Sequence, residues 1–215
     1  MENSKSIFIL GDSYSTYQGY IPEGYSYYYS DDRTELPIIG TVENTWWKKL
    51  TRDGKYEVVC NDSYSGTTVC NSVRSCHTKD VSFINRLDKY IEQGFFSDRE
   101  IDIFIVFGGT NDSWINTPIG SLIYDNWTDE DKDCTLPAFC YLLSRLKDIK
   151  SIKNVLAVIN CDLSEAITVG YAAACKEYGI SHLLLKNVEK ENGHPNTVGM
   201  EQICNQIADK LAEFD

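Results

Sequence analysis

The sequence predicts an α/β fold, a parallel sheet with helices on both faces. Three observations lead there. Short apolar runs alternate with longer amphipathic stretches along the chain, the pattern of strand–helix–strand crossovers. Two of the runs, residues 7–10 and 101–107, are apolar almost throughout, as strands covered on both faces must be. Three of the runs end in polar, Gly-bearing clusters: Gly11-Asp12-Ser13, a segment from Asn61 to Thr68, and Gly108-Gly109-Thr110-Asn111-Asp112. Open α/β sheets bind ligands beyond the carboxyl ends of their strands, so chemistry is to be sought in these clusters.

In chain order, the first strand breaks at Gly11, and an aperiodic stretch follows over residues 14–40. It carries Tyr14, Tyr17, Tyr20, Tyr25, Tyr27, Tyr28 and Tyr29, too many aromatic residues for a disordered segment. The stretch reads as an insertion that either packs on itself or walls a site. Residues 45–51, with Trp46 and Trp47, form a predicted helix capped by Asn44, and residues 56–60 form the second strand. Phe83, Ile84, Leu87 and Ile91 mark one face of a helix over 81–93. After the strand at 101–107 comes a loop with Pro118, Gly120 and Trp127. Its acidic run at 129–133 reads as solvated surface rather than a metal site. A helix over 136–149, a strand over 155–159 and an Ala-rich helix over 164–178, closed by Gly179, come next. The last strand covers 181–185. A loop over 189–196 leads to a final helix carrying Met200, Ile203, Ile207 and Leu211. No repeat or linker interrupts the 215 residues, which suit a single domain over 1–215.

Composition narrows the function. A formal net charge of −12 argues against nucleic acid or an anionic membrane as partner. No apolar run approaches a membrane span. Eight cysteines without a Cys-x-x-Cys pair read as reduced, structural thiols, which favours a cytoplasmic location; a signal peptide already removed is compatible with the same residues. Three histidines make a His-rich metal site a poor expectation. Neither Gly-x-Gly-x-x-Gly nor a Lys-bearing phosphate loop is present, which disfavours a nucleotide-binding protein.

The clusters hold residues suited to acyl transfer. Ser13 offers a hydroxyl that needs a base to become nucleophilic. His194 is the candidate base. The backbone N–H groups of Ser13 and Gly66 and the side chain of Asn111 are candidate donors for an oxyanion. Singly, each has an ordinary structural use; a turn serine, a turn glycine, a capping asparagine and a histidine at a helix start are all common. Their order and placement after successive strands carry the weight.

In this order the residues resemble the SGNH, or GDSL-type, hydrolases. Gly11-Asp12-Ser13, Gly66, Gly109-Thr110-Asn111-Asp112 and His194-Pro195 are similar to that family's four blocks and span most of the chain. The resemblance implies a flavodoxin-like three-layer α/β/α sandwich with about five parallel strands. It also implies ester hydrolysis through Ser13 and His194 without metal or organic cofactor. One position departs. The family usually has Asp three residues before the His, and here that residue is Glu191. Either Glu191 completes a triad, with Glu189 a weaker substitute, or a backbone carbonyl orients His194 in a dyad. Asp12, Tyr14, Tyr17 and Trp114 are the expected substrate contacts. The expected substrate is a small-acyl ester, carbohydrate-linked or otherwise small. The alternative is a catalytically impaired glycan-binding module in the same cleft. For the enzyme, the rate should rise with pH through a value near that of free histidine, about 6.5.

Overall fold

The computed structural model describes residues 4–214. Five parallel strands form its sheet: β1 (Lys5–Gly11), β2 (Tyr56–Ser63), β3 (Ile101–Phe107), β4 (Ile152–Ile159) and β5 (Ser181–Leu184). Their spatial order is β2-β1-β3-β4-β5. The chain leaves β1 to one side for β2 and returns to the other for β3, so the order reverses beside β1 and opens a crevice at the carboxyl ends of β1 and β3.

Period-two alternation explains why the central strands are apolar throughout. In β1, Phe8 and Leu10 enter one core while Ile7 and Ile9 enter the other. In β3, Phe104 and Val106 face the first core, and Ile103, Ile105 and Phe107 face the second. Helices α2 (Phe83–Glu92), α5 (Thr135–Asp148) and α6 (Glu165–Tyr178) close the first core. Helices α1 (Trp46–Leu50) and α7 (Thr197–Leu211) close the second, together with Tyr14, Tyr17 and Tyr29. The three-layer α/β/α architecture expected of the sequence is therefore present.

Several boundaries differ from the sequence-based expectation. Strand β2 continues to Ser63 because Asn61, Asp62 and Ser63 pair with Ile9, Leu10 and Gly11, and their polar side chains find partners. Thr45, not Asn44, caps α1; the Asn44 amide turns back to the Ile39 carbonyl at 2.7 Å. Two short helices lie where no periodicity announced them, α3 (Thr110–Trp114) and α4 (Asp129–Lys132). The acidic run forms α4, with Thr128 and Asp131 closing a capping box and carboxylates at the positive end of the helix. Residues 189–196 are not plain loop: β6 (Lys190–Glu191) and β7 (His194–Pro195) pair antiparallel.

Candidate active site

Ser13 opens a short 3-10 turn at the end of β1. The Asp12 carboxylate caps that turn, accepting the Tyr14 N–H at 3.1 Å. Gly11 lets the strand end pass close to its neighbour, since a Cβ there would lie 2.5 Å from the Ser63 hydroxyl. Both tryptophans of α1 hold the turn from below. The Trp46 and Trp47 indoles donate to the Ser15 hydroxyl and carbonyl at 3.2 and 3.0 Å.

His194 arrives on the β6–β7 hairpin. Asn192 and Gly193 form its two-residue turn with φ of 48° and 78°, the left-handed pair that an Asn-Gly sequence favours. The Tyr14 hydroxyl donates to the Gly193 carbonyl at 2.6 Å, and the Tyr29 hydroxyl to the Pro195 carbonyl at 2.7 Å. So anchored, His194 presents Nε2 to Ser13 Oγ at 3.0 Å, and both residues are buried. Its Nδ1 faces the Asn192 carbonyl at 3.3 Å. A carbonyl only accepts, so Nδ1 carries the proton and the Nε2 lone pair is turned toward the serine. Of the two arrangements the sequence left open, this contact corresponds to the backbone-carbonyl one. Glu191 meets His194 as its ladder neighbour in the hairpin, and the ring contact goes to a backbone oxygen instead. Glu189 is turned elsewhere and accepts from the Asn196 amide at 2.7 Å.

The imidazole is walled by aromatic rings. Tyr28 stacks on it with centroids 3.4 Å apart and planes 9° from parallel, and Trp114 meets it edge-on at 5.3 Å. The Arg33 guanidinium lies 4.0 Å from the Tyr28 centroid, on the face that the imidazole leaves free. Burial pushes the His194 pKa down to about 4. The Asn192 carbonyl opposes that shift, and the charges of Arg33, Lys190 and Arg74 add to it.

Across the cleft, Asn111 occupies the first turn of α3. Its Nδ2 donates to the Thr67 carbonyl at 3.0 Å, and its Oδ1 accepts from Arg74 Nη2 at 3.2 Å. Gly66 has φ of +84°, and a Cβ there would lie 2.9 Å from His77 Nε2, so any side chain is both strained and crowded. Asp112 secures the loop by accepting the N–H groups of Val69 and Cys70 at 2.9 and 3.2 Å. Buried Arg86 joins the strand ends, donating to the Asp62 carboxylate at 2.8 Å and the Gly11 carbonyl at 3.0 Å.

An open cleft of about 400 Å³ brings Ser13, Gly66, Asn111 and His194 together, with Trp114 on its wall. Three expected substrate contacts do not line it. Asp12, Tyr14 and Tyr17 are buried, and Tyr17 bonds Asp31 and Gly40 within the insertion. Trp127 is away from the site, packed on Tyr141. Tyr28, from the Tyr-rich stretch expected either to pack on itself or to wall a site, lines the cleft, and Arg74 and His77 line it unannounced. Nothing local in the sequence singles out Tyr28 among the tyrosines of its stretch, and nothing singles out Arg74, whereas Asn192-Gly193 was a readable hairpin signal. Among the described residues, no group of three His, Cys, Asp or Glu side chains is placed to hold a metal ion, and no helix is long and apolar enough to cross a membrane. Chemically, a buried hydroxyl beside an imidazole, in a cleft that Gly66 and Asn111 also line, is an arrangement suited to acyl transfer.

Comparison with known proteins bears on the family. The sequence profile described as GDSL-like Lipase/Acylhydrolase matches residues 5–211. A crystal structure from Bacteroides ovatus ATCC 8483, described as that of a GDSL-like lipase, superposes with a TM-score of 0.89 at 35% identity, covering 99% of this chain and 100% of that one. An aryl esterase of M. smegmatis shares the fold at a TM-score of 0.64 and 14% identity, over 98% of this chain and 99% of that one. So does a carbohydrate esterase whose active site is described as having divergent catalytic and non-catalytic binding functions, at 0.64 and 11%, over 99% and 70%. No curated protein sequence matches the chain significantly. By a profile that spans nearly its whole length and a relative alike from end to end, the chain belongs to the GDSL-like lipase/acylhydrolase family of hydrolases.

Proposed function

We propose that the protein is a serine esterase that works through an acyl-enzyme and removes a small acyl group from a carbohydrate or another small alcohol. The observation that carries this reading is the buried contact between Ser13 Oγ and His194 Nε2 at 3.0 Å. In the first half-reaction Ser13 attacks the ester carbonyl while His194 takes its proton. The tetrahedral oxyanion is met by the N–H groups of Ser13 and Gly66 and by the Asn111 amide. Collapse expels the alcohol, which receives the proton from His194. Water then enters by the same route and releases the acid. In this reading the catalytic pair is a dyad, with the Asn192 carbonyl in the place of a third side chain. The half-exposed indole of Trp114 on the cleft wall supports a sugar-sized alcohol. The modest, open cleft supports a short acyl group.

Turnover of p-nitrophenyl acetate and butyrate by the wild type and by Ser13→Ala tests the proposal. We expect hydrolysis by the wild type, faster with acetate, background rates for the variant, and an acyl mass increment on the peptide carrying Ser13. Equal background rates for both proteins would favour the glycan-holding module instead.

A further inference from the structure

The Arg74 guanidinium stands beside the proposed oxyanion donors without a counter-charge. Its Nη2 donates to Asn111 Oδ1 at 3.2 Å, its Nε is buried without a hydrogen-bond partner, and among the described residues it forms no ion pair. An arginine neutralised by a carboxylate would have little field left for its surroundings; this one keeps its charge. Asn111 is itself 2% exposed, and its amide is caught between two demands. The Thr67 carbonyl, 3.0 Å from Nδ2, requires a donor, and the guanidinium requires an acceptor. Turning the amide over would set oxygen against oxygen and N–H against N–H. In the observed orientation one Nδ2 hydrogen is used by Thr67 and the other remains for the cleft.

We propose that Arg74 is a positioning residue for the oxyanion hole: it fixes the Asn111 amide with its nitrogen available to the cleft and, by withdrawing electron density through Oδ1, makes the remaining N–H a stronger donor. Hydrogen bonds polarise one another along a chain, and a cationic first donor strengthens the effect. The direction of the benefit follows from the neighbours. The same positive charge disfavours a proton on His194, so it opposes the imidazolium of the transition state. A net gain must therefore come on the anionic side of the reaction, where Asn111 stands.

The proposal rests on the esterase reading, and the experiment separates the two. With p-nitrophenyl acetate, Arg74→Met should lower kcat about tenfold with KM within about twofold, and Arg74→Lys should recover part of the loss. Asn111→Ala should cost about a hundredfold. The decisive measurement is the double variant: Arg74→Met should add no further loss in the Asn111→Ala background, because its effect passes through that amide. Independent, multiplying losses would overturn the proposal. So would a raised KM at unchanged kcat, confined to esters carrying a carboxylate, which would put Arg74 on the substrate. A second readout needs no turnover. The side-chain amide resonances of Asn111 should move in Arg74→Met relative to the wild type, and unchanged resonances would overturn the proposal even if the esterase reading stands. Absence of Ser13-dependent hydrolysis together with an Arg74-dependent amide shift would sink the esterase reading and leave the amide coupling intact.

Discussion

At the scale of single residues, His194 is the informative one. Buried, stacked under Tyr28 and faced by the charges of Arg33, Lys190 and Arg74, it holds its proton poorly, with a pKa pushed down to about 4. A base must be neutral to act, so kcat/KM should rise through about pH 4 and be level between about pH 6 and 8. The expectation from sequence differs, putting the rise near the ordinary histidine value. A pH–rate profile centred near about 6.5 would contradict the buried, cation-faced ring. The same shift acts on stability. Between about pH 6.5 and 4 the unfolded chain takes up a proton on this side chain that the folded protein refuses, so stability falls as the pH drops through that window. Glu191→Ala should change kcat by less than about threefold, whereas His194→Ala should abolish turnover, since the ring is held by a carbonyl rather than a carboxylate. Ser13, Gly66, Asn111 and His194, which share one cleft, were legible as candidates because of their order and placement after successive strands. The Asn192 carbonyl was not, since every residue has one. Nor was Arg74, whose importance lies in what it touches, and Tyr28 was legible only as one of several tyrosines in its stretch.

Among elements, the β6–β7 hairpin and the Tyr-rich insertion act together. The insertion both packs on itself, through Tyr17, and closes over the site, through Tyr28; the sequence left these as alternatives. Tyr29 reaches from it to the Pro195 carbonyl, and Tyr14 holds the Gly193 carbonyl at the tip of the hairpin. Tyr29→Phe leaves a buried carbonyl without its donor. We expect a loss of about 1–2 kcal/mol in urea unfolding and a lower kcat at unchanged KM, because the histidine is displaced while the cleft wall remains. Gly193→Ala is harsher on catalysis. Its φ of +78° disfavours a side chain, and the new Cβ would lie 3.1 Å from Trp114, so the turn and the imidazole behind it must shift. Tyrosine count and spacing announced an aromatic insertion, but its path depends on hydrogen bonds to residues more than a hundred and sixty positions away, which no local pattern records.

For the whole molecule, sheet order places the site. The reversal beside β1 sets the end of β1 against the end of β3, and Ser13 and Asn111 follow those ends directly. This part of the fold was legible, because strands buried on both faces write long apolar runs. Strand β2 was only half legible. Its last three residues are polar, and the buried Asp62 carboxylate among them is met by Arg86, distant in sequence, which also bonds Thr67 and the Gly11 carbonyl. Arg86→Met should therefore destabilise the protein by about 3–5 kcal/mol, by leaving the Asp62 carboxylate buried and unpaired. Adding Asp62→Asn should recover part of that loss in chemical denaturation. Equal stability of Arg86→Met and the wild type would refute the view that this pair ties the strand ends together.

The contact between Ser13 and His194 spans 181 positions, from the first strand to the threshold of the last helix. A ribosome makes the nucleophile long before its base. A nascent chain therefore carries an inert serine until the final hairpin emerges and docks under Tyr14 and Tyr29. Ester turnover measured during synthesis would then clock the closing step of folding, and a chain nicked in the exposed segment between α3 and α4 should regain that turnover only when its two pieces are mixed.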